Sequence, residues 1–365
     1  VPDAPAPENW SPTSWSSRAS NVGYAYDDAA QVESCVRQIA RMPPLVTSGE
    51  VEKLIEEIAG AQRGERFLLQ GGDCAETLEE CRPDVVTSKL KILLQMSLVM
   101  VFAGRKPVIR VGRIAGQYAK PRSSANETRA GVSLPSYFGD LINRAPFTPE
   151  ARRPDPRLMA EGYQHAAVTL NFVRSLMSAG FADIHHPEQW DLGFLRHAGL
   201  TSELRERYQA LTRRLTESVN FMEAIGERDF GQLTSVRFYT SHEGLNLHYE
   251  SAQTRSVPRK AGYWNLTTHM PWVGERTRAL DGAHIEYFRG IRNPVGVKIG
   301  PSTTPAQVIA LIEALNPANL AGKLVLIPRM GASRVREKLP ALARAVVEAR
   351  KTVLWGSRRA TSRTF

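Results

Sequence analysis

The chain has 365 residues and carries 47 Lys and Arg against 37 Asp and Glu, a formal net charge of +10. That length corresponds to roughly two to three average domains yet also fits a single α/β barrel, which routinely runs to about 250 residues or more. Three cysteines without a C-x-x-C pair exclude a disulfide framework and a zinc ribbon, and the longest apolar stretch, residues 93–104, is interrupted by Gln95 and Ser97 and falls short of a bilayer span.

Residues 1–30, rich in Pro, Ser and Ala with two Trp, read as an extended arm that docks by its aromatics. Val51, Leu54, Ile55 and Ile58 recur at helical spacing, predicting a helix over 50–62 with Ser48 as N-cap. Residues 66–74 then read as a buried strand ending in a Gly-rich turn. A long helix follows over 84–102, with Pro83 near its start and Gly104 past its end. Residues 108–113 form the next strand. Cys35 and Cys81 fall on predicted helices as ordinary thiols.

From about 120 to 229 the texture changes: two long helices are predicted over 156–179 and 201–226, with a weak strand at 182–185. Alternation then resumes, with strands at 235–241, 266–273, 294–300, 323–329 and 352–355 and helices at 305–315 and 333–349. Strands alternating with helices predict a parallel sheet, and this many of them favour a barrel. A doubly wound open sheet is the alternative, although no G-x-G-x-x-G follows any strand.

Barrel sites gather at the C-terminal ends of the strands. Those ends read Cys74, Arg113, Ser241-His242-Glu243, Glu275-Arg276, Lys298 and Arg329. Any one of them could be a solvated cap; together, four cations with carboxylates and a thiol predict a grip on phosphorylated or carboxylated substrates. The thiolate is a candidate metal ligand or nucleophile. His185-His186 reads as a loop, and Asp281 and His284 as equally structural or functional. The basic residues are 37 Arg and 10 Lys, a skew that GC-rich coding also produces. They are scattered, so neither nucleic acid nor membrane is an expected partner. With no charged-then-apolar leader at the start, a cytoplasmic location is expected.

Several long motifs resemble one family. They are Gln70-Gly-Gly-Asp-Cys-Ala-Glu76, Gly112-Arg-Ile-Ala-Gly-Gln-Tyr-Ala-Lys-Pro-Arg-Ser123, Gly139-Asp-Leu-Ile-Asn143, Thr240-Ser-His-Glu243, Trp272-Val-Gly-Glu-Arg-Thr-Arg278, Asp281-Gly-Ala-His284, Asn293-Pro-Val-Gly-Val-Lys-Ile-Gly300 and Arg329-Met-Gly331. The chain resembles class II (plant-like) 3-deoxy-D-arabino-heptulosonate 7-phosphate (DAHP) synthases across about residues 20–355. The resemblance implies a (β/α)8 TIM barrel over 66–355, an N-terminal arm and helix over 1–65 and a helical insertion at about 120–230. It implies condensation of phosphoenolpyruvate with erythrose 4-phosphate, releasing phosphate, at the head of the shikimate route to aromatic amino acids. Arg113, Glu275, Arg276, Lys298 and Arg329 would form the phosphoenolpyruvate site, with Lys298 and Glu275 catalytic. Lys120, Arg122 and Ser123 would help bind the second substrate. Cys74 would be a ligand of a divalent metal (Mn, Co or Mg). A homo-oligomer and effector control by aromatic amino acids are also implied.

The sequence departs from that family after Trp355. The motif that supplies the family's histidine ligand, and the later glutamate and aspartate ligands, are not found, and no histidine follows His284. The expectation is therefore a barrel lacking its last strand or strands, with residues 356–365 an aberrant tail. Bases encoding Ala360-Thr-Ser-Arg-Thr-Phe365 can read Gly-Asn-Phe-Ala-Asn-Val one position earlier, which suggests a frameshift. Such a chain is expected to be poorly stable or to associate, and to lack synthase activity. The alternatives are a relative serving phenazine or aminoshikimate metabolism, suggested by a compact connection over 250–263, and a non-catalytic phosphoenolpyruvate-binding protein.

Overall fold

The computed structural model describes residues 7–179 and 237–356, with 201–203, 206 and 210 between them. The predicted strand at 182–185, the His185-His186 pair, nearly all of the helix over 201–226, the first residues of the strand at 235–241 and the tail over 357–365 lie outside the described residues.

In chain order, helix α1 (Ala29–Ala40) and helix α2 (Ser48–Gln62) precede strand β1 (Phe67–Gly72), helix α3 (Pro83–Gly104) and strand β2 (Val108–Arg113). An antiparallel hairpin, β3 (Asn126–Arg129) and β4 (Val132–Pro135), is followed by a short turn of helix, α4 (Pro149–Arg152), and by α5 (Leu158–Ser178). Then come β5 (Tyr239–Thr240), α6 (Leu247–Ala252) and a second hairpin, β6 (Thr254–Val257) with β7 (Lys260–Asn265). The remainder is β8 (Trp272–Val273), α7 (Ala283–Phe288), β9 (Val295–Ile299), α8 (Pro305–Leu315), β10 (Leu324–Pro328), α9 (Gly331–Glu348) and β11 (Leu354–Trp355).

Two parallel sheets result, ordered β1-β2-β5 and β8-β9-β10-β11. A parallel bridge between Glu243 and Trp272 connects them. Trp272 N–H donates to His242 O at 3.0 Å and Gly244 N–H to Trp272 O at 3.1 Å. Among the described residues, seven parallel strands thus lie side by side in chain order.

Side chains alternate faces along each strand. Val295, Val297, Ile299, Leu324 and Leu326 pack outward with side chains of α7, α8 and α9. Ile109, Val111, Tyr239, Trp272, Val325 and Ile327 share one inner cluster with Leu54, Ile58 and Ala61 of α2. One cluster drawing on β2, β5, β8 and β10 seats this helix against residues of both parallel sheets. Leu54 and Ile58 are fully buried, a transfer contribution of roughly 2 kcal/mol each.

Helix α2 closes the N-terminal end of the strands. Its Glu57 accepts from Arg237, just before β5, at 2.9 Å, and Gln62 Oε1 accepts from Gly322 N–H, just before β10, at 2.8 Å. The opposite, C-terminal ends of the strands are left for the site.

The structure corrects several expected boundaries. Thr47, not Ser48, caps α2: its hydroxyl accepts from Glu50 N–H at 3.2 Å while Glu50 accepts from Thr47 N–H at 2.7 Å. Gly104 lies inside α3, where a Cβ would sit 2.3 Å from the Phe67 ring, and Arg105 takes the left-handed capping position at φ 51°. Cys81 follows a single 3-10 turn, Leu78–Glu80, rather than lying in a helix. The stretch beginning at 120 opens with the hairpin β3–β4, and the strand expected at 266–273 is reduced to Trp272–Val273, with the hairpin β6–β7 ahead of it. The arm docks as expected: Trp10 and Trp15 are buried, with Trp10 Nε1 donating to Glu286 O at 2.8 Å. No helix among the described residues is long and apolar enough to cross a membrane.

Candidate active site

The inward alternation carries a polar residue to the end of β2 and β9 and just past the end of β5 and β10. Arg113 follows Ile109 and Val111; Glu243 follows Tyr239 and Ser241; Arg329 follows Val325 and Ile327. Lys298 lies one position before the end of β9, out of phase with outward Val297 and Ile299.

Lys298 Nζ donates to Glu243 Oε2 at 2.8 Å, in a pair that is largely buried. Its ammonium stands 4.7 Å from the Trp272 ring centroid, and the Arg113 guanidinium stands 4.3 Å from the same ring. The indole is therefore a shared platform for two cations. Burial pushes Lys298 below the ordinary lysine range; the Glu243 carboxylate pulls it up, and Arg113 and Arg329 push it down again. Three positive groups thus feel one another with one carboxylate among them, an arrangement that an incoming anion relieves.

Glu275 begins a 3-10 turn, Glu275–Thr277, directly after Gly274. A Cβ on Gly300 would lie 1.7 Å from Glu275 Oε1, and one on Gly274 2.1 Å from Glu243 Oε1. Both glycines are there because a carboxylate fills the space. Arg278 pairs with Glu275 at 3.5 Å and donates to Thr303 Oγ1 at 2.8 Å. Arg276 and Arg329 are exposed, and Arg329 N–H donates to Ile299 O at 2.7 Å, fixing its backbone to the end of β9.

Cys74 is exposed beyond β1, and its carbonyl accepts from Arg113 Nη2 at 3.3 Å. Among the described residues no group of three or more His, Cys, Asp or Glu gathers to hold a metal ion. Lys120, Arg122 and Ser123 lie on the segment after β2, which is anchored to the hairpin region. Lys120 N–H donates to Phe138 O at 2.8 Å and Arg122 Nε to Tyr137 O at 2.5 Å.

Arg113, Lys298, Arg329, Glu275 and the Cys74 backbone are thus brought to one end of the sheet. The sequence motifs contain Trp272 and Glu243 without revealing their part here. The signal was the inward register, which puts Glu243 four residues after Tyr239 on the same face. His284 is buried instead, its Nε2 donating to Leu245 O at 3.1 Å, and burial pushes its imidazole down to about 4.

A parallel α/β sheet with cations gathered at its C-terminal strand ends is the arrangement of an α/β enzyme whose site lies on that face. Residues 10–360 match the Class-II DAHP synthetase family, and the chain belongs to it. It is 43% identical over 371 residues to a phospho-2-dehydro-3-deoxyheptonate aldolase of Neurospora crassa, covering 97% of this chain and 75% of that one. A Streptomyces coelicolor protein of the same name is 44% identical, with 90% of this chain and 72% of that one covered. One from Mycolicibacterium smegmatis is 40% identical, with 90% and 70% covered.

Proposed function

We propose that Arg113, Lys298 and Arg329 hold the phosphate and carboxylate of phosphoenolpyruvate at the C-terminal strand ends of a (β/α)8-type barrel, seven of whose parallel strands lie among the described residues. As a family member the chain is a DAHP synthase, catalysing the first step of the shikimate pathway. In that reaction the methylene carbon of phosphoenolpyruvate bonds to the aldehyde carbon of erythrose 4-phosphate, water is consumed and inorganic phosphate leaves. The pairing of Lys298 with Glu243 above the Trp272 face carries this reading. It holds an ammonium beside two guanidiniums in a site where an anion restores the balance of charge.

Lys298 and Glu275 are the groups we assign to the reacting centre. Lys298, depressed by burial, sits where a proton can be given or taken as charge moves on the substrate. Glu275 abuts Gly300 at the end of the strand that carries Lys298, so its carboxylate and the ammonium share one wall. Arg276 extends the cationic rim, and Lys120, Arg122 and Ser123 offer a second anion grip for erythrose 4-phosphate. Cys74 is the donor available to a divalent metal, which would polarise the aldehyde oxygen. The described residues do not complete that site.

Titration calorimetry of the chain with phosphoenolpyruvate in chelator tests the cation assignment. Saturable heat that disappears in Lys298→Met and Arg113→Met is expected, and no heat with the unsubstituted chain would sink it. Phosphate release with both substrates and added manganese separates an enzyme from a protein that only binds phosphoenolpyruvate.

A further inference from the structure

Two residues beyond Cys74 lies a buried carboxylate that the site described above does not use. Glu76 is 4% exposed. Its Oε1 accepts from Ala115 N–H at 3.2 Å, and its Oε2 accepts from Gly116 N–H at 3.1 Å and Gln117 N–H at 2.9 Å. Its own N–H donates to Gln117 O at 2.8 Å. Three successive amides converging on one anion form a nest. The chain reaches that shape by placing Ala115 at φ 63°, a left-handed conformation uncommon for a residue with a Cβ. Only a carboxylate offers enough acceptor capacity in the right place, since a neutral amide would turn an NH2 toward one of the donors.

The nest holds more than itself. Arg113 lies two residues before Ala115. Gln117 ends the nest, with Nε2 donating to Ala119 O at 2.9 Å and Oε1 accepting from Glu243 N–H at 3.0 Å. Glu243 in turn takes the Lys298 ammonium at 2.8 Å. Lys89 of α3, bonded to Asp73 at 2.7 Å and Glu80 at 2.8 Å, stands 3.6 Å from Glu76 and secures the acidic loop from its other side.

We propose that Glu76 is a positioning residue for the anion site, locking the Ala115–Gln117 turn so that Arg113 and, through Gln117, the Glu243–Lys298 pair face one substrate. The proposal deepens the assignment of Arg113 and Lys298 to phosphoenolpyruvate and rests on it.

The test uses the full chain with Glu76→Gln and, separately, Gln117→Met. Two quantities are read: the dissociation constant for phosphoenolpyruvate in chelator, and hydrogen exchange at the amides of 115–117 and 243. Glu76→Gln should weaken binding about tenfold or more and speed exchange at all four amides. Gln117→Met should weaken binding several-fold and speed exchange at 243 while leaving 115 and 116 protected. A merely structural carboxylate would lower the urea midpoint and leave affinity within twofold, and that result overturns the proposal. Should Glu76→Gln fail to fold, unchanged affinity in Gln117→Met is decisive in the same way. If the unsubstituted chain gives no heat with phosphoenolpyruvate, the substrate assignment fails by itself. Unaltered exchange at 243 in both variants would then overturn the positioning path independently.

Discussion

Two buried lysines solve the same problem in opposite ways. Lys298 is matched by a carboxylate, whereas Lys323 at the other end of the sheet donates, among the described residues, to carbonyl oxygens, Ile291 O at 2.5 Å and Asn293 O at 2.7 Å. Burial, with the nearby Arg292 charge, pushes Lys323 down to about 7. An unfolded lysine titrates near 10.4, so between those values the unfolded chain binds the extra proton. Stability should therefore rise as pH increases through that window, by at most about 1.4 kcal/mol per pH unit from this group. Lys323→Met removes the slope and raises the urea midpoint at pH 6; a slope unchanged between pH 7 and 9 would show that Lys323 does not cause it. Gly300→Ala probes the substrate end. Its Cβ would meet Glu275 Oε1 at 1.7 Å, so the carboxylate must swing away. Affinity for phosphoenolpyruvate should fall about tenfold, near 1.4 kcal/mol, with little change in melting temperature. Unchanged affinity and turnover would remove Glu275 from the reacting centre.

Elements with complete local signals were legible in the sequence. Helix α8 lies at its expected bounds because Thr304, Pro305 and Gln307 make a capping box with Pro in the first turn. Strand β2 does so because Val108, Ile109 and Val111 follow directly on Pro107. The two hairpins were not legible, because their turns lack the usual dipeptides. Ala130-Gly131 joins β3 to β4 with Ala130 at φ 48°, and Pro258-Arg259 joins β6 to β7 with Arg259 at φ 64°. Neither carries the Asn-Gly or Asp-Gly that announces such a conformation. The cap of α2 was misplaced by one residue because Thr47 and Ser48 are both good caps, and only Glu50, three residues after Thr47, chooses between them. Glu50 also pairs with Arg174 of α5 at 3.1 Å. Thr47→Ala should cost about 1 kcal/mol, read as a lower urea midpoint, while Ser48→Ala should cost much less. Equal effects would mean that the box does not secure the helix that closes the sheet.

For the whole molecule, the cations were legible because strand alternation fixes which face each one takes. The supports behind them were not: Glu76 and Gln117 act through backbone amides of a loop, and no side-chain pattern records that. The arm is a similar case, since its tryptophans were evident but their partners are more than 230 residues away. Trp10 Nε1 reaches Glu286 O, Ser14 Oγ donates to Glu286 Oε1 at 2.8 Å, and Ala283 N–H donates to Ala19 O at 2.9 Å, all on α7. Trp15 Nε1 donates to Ser251 Oγ at 2.7 Å on α6. The arm therefore binds together the two helices that follow the Glu243 and Glu275 turns. The Trp10 ring fills the place where a Cβ on Gly290 would stand, 2.0 Å away, and packs 5.3 Å from Tyr263. Removing it leaves a hole that no neighbour can fill, at a cost of about 3–5 kcal/mol. Because the hole opens at the arm's first turn and leaves the hydrogen bonds of the two parallel sheets intact, that loss should release the arm locally rather than unfold the sheet. Trp10→Ala is expected to make the arm cleavable by a nonspecific protease under conditions where the unsubstituted chain resists, with the remainder surviving as a stable fragment. Cleavage spread evenly through the chain would show that the arm and the sheet unfold as one unit.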